Sequence, residues 1–110
     1  MQFKESDRLG TRLFAIKLRL AELDREMRQT QIHVCHLESQ LENAQLAKLM
    51  GEDAGNPAEI HPELESSRGH LENQRETMAR VKKSQRKANA EFFQVRVEEI
   101  RRERERKGAE

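Results

Sequence analysis

The chain has 110 residues, 37% of them charged and 4% aromatic, with no Trp or Tyr, a mean hydropathy of −1.00 and a formal net charge of +1. So little bulky apolar material excludes a thick globular core, and no apolar run approaches the roughly 20 residues that a membrane-spanning helix needs. Composition of this kind would suit disorder unless the apolar residues are periodic.

The opening Met-Gln-Phe-Lys-Glu-Ser-Asp lacks the apolar centre of a signal peptide. Cys35 is the only cysteine, so no intrachain disulfide is possible, and a reduced, cytoplasmic setting is expected. From Leu9 onward one uninterrupted ladder of alternating four- and three-residue steps runs through Leu13, Ile16, Leu20, Leu23, Met27, Thr30, Val34, Leu37, Leu41, Ala44 and Lys48. Most of these residues are large and apolar. A repeat of 3.5 residues is the signature of a helix that buries one stripe against another helix, and it predicts a first helix over about residues 8–50.

Residues 51–62 then collect Gly51, Gly55, Pro57 and Pro62. Gly51 is placed to close the first helix in the left-handed conformation, and each proline opposes a helix passing through it. Asn56-Pro57-Ala58-Glu59 has the form of a helix cap, yet Pro62 would fall inside the helix so begun. The expected compromise is a short helical turn at 57–60, with the second long helix over about 63–107 and a frayed C-terminus after Gly108.

The second arm repeats the ladder in weaker form, through Ile60, Leu64, Ser67, Leu71, Gln74, Met78, Val81, Gln85, Ala88, Phe92, Val95, Glu99 and Arg102. With the turn centred on 51–62, paired residue numbers should add to about 112. Leu64 is then expected near Lys48, Leu71 near Leu41, Met78 near Val34, Gln85 near Met27 and Phe92 near Leu20. The fold class is all-α: a single long antiparallel two-helix coiled-coil hairpin. Two helices alone bury little area, so dimerisation into a four-helix bundle is the first expectation. In outline this resembles the short coiled-coil hairpins that serve as stalks or escort proteins in bacterial export machines.

Phe93, Val97 and Ile100 form a second ladder, out of step with Phe92 and Val95, and Phe14 and Leu18 lie off the seam of the first arm. Either the seam widens locally and buries them, or they form a docking face. Phe14, Leu18, Phe92, Phe93, Val97 and Ile100 are the candidate partner interface. The block Arg80-Val-Lys82-Lys83-Ser-Gln-Arg86-Lys87 has five basic residues and no acid. Arg80, Lys82, Lys83, Arg86 and Lys87 are therefore candidate phosphate contacts. Against that stands the expected register, which sets the acidic Glu22, Asp24 and Glu26 opposite the block and makes it an ordinary solvated face.

His33-Val34-Cys35-His36 is the only grouping of metal-ligand residue types. Val34 and Leu37 own the seam, so the three point outward and lack a fourth ligand; no metal or cofactor is expected. No nucleophile motif, phosphate loop or His-Glu-x-x-His occurs, and a two-helix rod offers no enclosed pocket. The expected function is a non-enzymatic stalk, adaptor or scaffold that binds a protein partner or its own copy. The alternative is a nucleic-acid-associated coiled coil working through residues 80–87.

Overall fold

A computed structural model of the chain describes residues 4–53 and 55–109. Met1–Phe3, where the signal-peptide reading begins, and Ala54 of the turn lie outside the described residues. The chain is an all-α helical hairpin of two helices, α1 (Glu5–Leu49) and α2 (Pro57–Ala109), with no strand among the described residues. No helix among the described residues is long and apolar enough to cross a membrane. Contacts cluster into two compact units: Glu22–Met78, which holds the turn, and Met1–Ala21 with Ala79–Glu110, which holds both ends.

Helix α1 starts three residues earlier than its apolar pattern indicates because Asp7 supplies a cap. Its carboxylate accepts the Lys4 backbone N–H at 3.2 Å, while the Lys4 carbonyl accepts the N–H groups of Asp7 and Arg8. That contact is half of a capping box, and it needs no Ser or Thr at the cap position. At the other end Gly51 takes φ 74°. The Glu52 N–H reaches the Ala47 carbonyl at 2.8 Å and the Gly51 N–H reaches that of Lys48 at 3.3 Å, the paired bonds of a Schellman ending.

Helix α2 departs from the expected broken start. It begins at Pro57 and runs through Pro62 without interruption. Asn56 is the cap: its Oδ1 accepts the Ala58 N–H at 3.1 Å, and its carbonyl accepts the Glu59 N–H at 3.0 Å. Pro57 holds the first helical position, where a missing N–H costs nothing. Pro62 deprives only the Ala58 carbonyl of a partner, one turn from an end that solvent reaches, so the cap and the continuing helix outweigh it. The far end also runs further than expected, with Gly108 inside the helix.

The seam follows the ladder almost position by position. Leu9, Leu23, Val34, Leu37, Ala44, Leu64, Leu71, Met78 and Ala88 are buried, and the other ladder positions are half-buried except Lys48 and Arg102. Ala47 is buried in place of Lys48, and Ser6 extends the seam one step beyond Leu9. Gln74 carries the cost of a polar residue in the seam: its Oε1 is buried without a hydrogen-bond partner.

The expected register is wrong. In the unit Glu22–Met78, Val34 and Leu37 cluster with Leu64, and Leu41 and Ile60 pack against them. These groupings give residue numbers adding to about 100, not 112: Val34 clusters with Leu64 rather than Met78, and Leu41 packs on the same cluster as Ile60. In the other unit Phe92 lies beside Gly10, 3.7 Å from where a β-carbon would stand, instead of meeting Leu20. Starting α2 at Pro57 shortens the turn and slides the arms past one another.

Candidate functional site

The unit that carries both chain ends holds almost every candidate residue. Its seam closes on a polar contact: Glu99 accepts the Ser6 hydroxyl at 2.7 Å and the Ser6 N–H at 3.2 Å, with Arg96 at 3.4 Å. The Ser6 hydroxyl is the main reason that the Glu99 carboxyl sits below its usual range. Partial burial opposes the shift, and the Ser6 N–H, Arg96 and Lys4 add to it.

Outside that seam each helix carries exposed apolar residues. A helix turns about 100° per residue, so Phe14, Phe93 and Ile100, each directly following a seam residue, sit on the flank next to the seam. Leu18 and Val97 lie further round. Phe93 is 69% and Phe14 62% exposed, with Leu18, Val97 and Ile100 also open to solvent, so the seam does not widen to take them in. An open groove of about 450 Å³ runs along α2 between Phe93, Gln94, Val97, Glu98 and Arg101. Phe92 differs from these residues: it is half-buried in the seam against Gly10.

The opposite flank is basic. Arg8, Leu9 and Arg12 of α1 line one shallow groove of about 290 Å³ with Ser84, Lys87, Ala88 and Glu91 of α2. Every non-seam residue in that lining directly precedes a seam residue, as do Arg19 and Arg80. The block 80–87 therefore shares its unit with residues 8–21 of α1, which contain Arg8, Arg12, Lys17 and Arg19 and no acid. This replaces the expected acidic neighbours, and the reason is the register. Arg80, Lys82, Lys83, Arg86 and Lys87 are exposed and make no ion pair among the described residues.

The His33-Cys35-His36 grouping lies in the other unit. His33 stands 3.5 Å from Glu63 across the seam, His36 contacts Gln40 on its own helix at 3.1 Å, and Cys35 is exposed. Among the described residues no three His, Cys, Asp or Glu side chains converge on a point where an ion could sit. Comparison with protein-family models, with curated proteins and with solved structures returned no match.

Proposed function

We propose that this is a non-enzymatic interaction protein, a stalk, adaptor or scaffold whose hairpin is a rigid support for protein contacts. The observation that carries the reading is the row of Phe93, Val97 and Ile100 on α2, left open together with Phe14 and Leu18 on α1 although the adjacent seam is filled. Two phenyl rings standing in water beside a regular ladder favour association, since each offers a large apolar area to a facing surface. A second copy of the chain is the expected first occupant, because two hairpins joined by such stripes form a four-helix bundle.

Light scattering after size exclusion tests this across a wide concentration range. The chain of 12.9 kDa should elute at about twice that mass, and Phe93→Glu with Val97→Glu should return it to monomer while helicity in circular dichroism is retained. A wild-type monomer at every concentration, with melting unchanged by the two substitutions, would remove the stripe as an interface.

A further inference from the structure

The net charge of +1 hides a separation of signs. Residues 8–21 and 79–90 hold nine Lys or Arg and no Asp or Glu, and all lie in one unit. Of the chain's 21 basic residues, 12 remain for the rest of the sequence, against all 20 acids. A balance of +9 in these two stretches is thus offset by −8 elsewhere. Charges scattered to keep a coiled coil soluble would alternate along both arms, as Arg101–Lys107 do. Here two helices each drop their acids over the segments that share a unit.

From this the geometry points to a sequence-independent binding surface for the phosphate backbone of duplex nucleic acid, on the flank that carries Arg8, Arg12, Arg80 and Lys87. Arg8 and Arg12 are one turn apart, about 6 Å along the axis, and share a groove with Lys87 of the facing helix, while Arg80 lies two turns, about 10 Å, from Lys87. Neighbouring helix axes stand about 8–10 Å from each other, so the four cations form a staggered row along the flank with spacings that successive phosphates can meet. The groove between Arg8, Arg12 and Lys87 is open, and Arg8 gives up little to bind, since its one ion pair among the described residues, with Glu5, is 3.6 Å long and exposed. Glu91 also lines the groove and marks its acidic limit.

Shape decides between modes of contact. Two helices side by side are about 20 Å broad, whereas the major groove is about 12 Å wide, so the hairpin lies across the backbone and reads no base edges. No aromatic residue lines the basic groove, which leaves single strands without a stacking platform. A lipid surface would require exposed apolar side chains in the groove, and its only apolar lining, Leu9 and Ala88, is buried in the seam.

The test is fluorescence anisotropy of a labelled random-sequence 20-base-pair duplex titrated with the full chain at 50 and 200 mM salt. Four phosphate contacts predict a slope of log K against log salt of about −3.6, or roughly a 150-fold loss of affinity between the two conditions. Arg12→Gln with Lys87→Gln should roughly halve that slope, while Arg68→Gln with Arg75→Gln, in the other unit, should leave it unchanged. Circular dichroism of each variant keeps loss of fold apart from loss of contact. Absence of duplex binding at 50 mM salt, equal slopes for the two pairs of variants, or binding to phosphatidylserine vesicles without binding to duplex would each overturn the assignment.

Discussion

A double-mutant cycle on Val34 and Leu64 tests the slide of the two arms. Leu64 is 1% exposed and Val34 6%, and both belong to the cluster with Leu37. Leu64→Ala should cost about 2–5 kcal/mol, and Val34→Ala about 1.5–3 kcal/mol from two lost methyl groups plus the space they leave. Because the cavities would merge, the double variant should depart from additivity by about 0.5–3 kcal/mol. Met78 is also buried, but it lies fourteen residues along α2 from Leu64, about 21 Å. Val34→Ala with Met78→Ala should therefore add to within about 0.5 kcal/mol. Urea denaturation read at a common slope supplies all the values. Coupling of Val34 to Met78, with none to Leu64, would refute the register and with it the meeting of the two basic stretches.

Two further outcomes follow from local features. Pro62→Ala should raise stability by about 2 kcal/mol, the regained bond to the Ala58 carbonyl and relief of the ring clash less the greater freedom of the unfolded chain, and a fall in melting temperature would mean that α2 does break there. Ser6→Ala should lower the melting temperature at pH 7. Glu99 is held below the ordinary carboxylate range, so its contribution is present above that range and is lost as pH falls through the depressed value. The gap between wild type and Ser6→Ala should consequently close as pH falls through that depressed value, and a gap that persists once Glu99 is protonated would show that Ser6 acts without its carboxylate.

The seam was legible in the sequence because burial imposes the period: Leu9, Leu23, Val34, Leu37, Leu64, Leu71 and Met78 occupy ladder positions and are buried. Register was not, since a ladder looks the same after a slide of one or two heptads. Val34 can face Met78, Leu71 or Leu64 with its neighbours still in phase. Only the turn breaks that symmetry, and there the Asn56 cap and Pro57 outweigh the penalty of Pro62. The early start of α1 was hidden for a related reason, because Asp7 caps from the third helical position while Lys4 gives no signal of a helix start.

The same slide alters what the charges mean. Attraction between the basic block and an acidic arm would have stabilised the hairpin and left nothing for a ligand. With residues 8–21 sharing the unit instead, like charges gather where neither stretch supplies an acid to offset them. Each exposed pair of like charges costs only a few tenths of a kcal/mol, so a well-filled seam can carry the arrangement. It remains a standing cost that a polyanion would relieve. The apolar stripe on the other flank is a second such cost, relieved by a facing apolar surface and not by phosphate. Because the two lie on opposite flanks of one seam, the molecule can meet both at once, and substitutions at Phe93 and Val97 should not alter the salt slope set by Arg12 and Lys87.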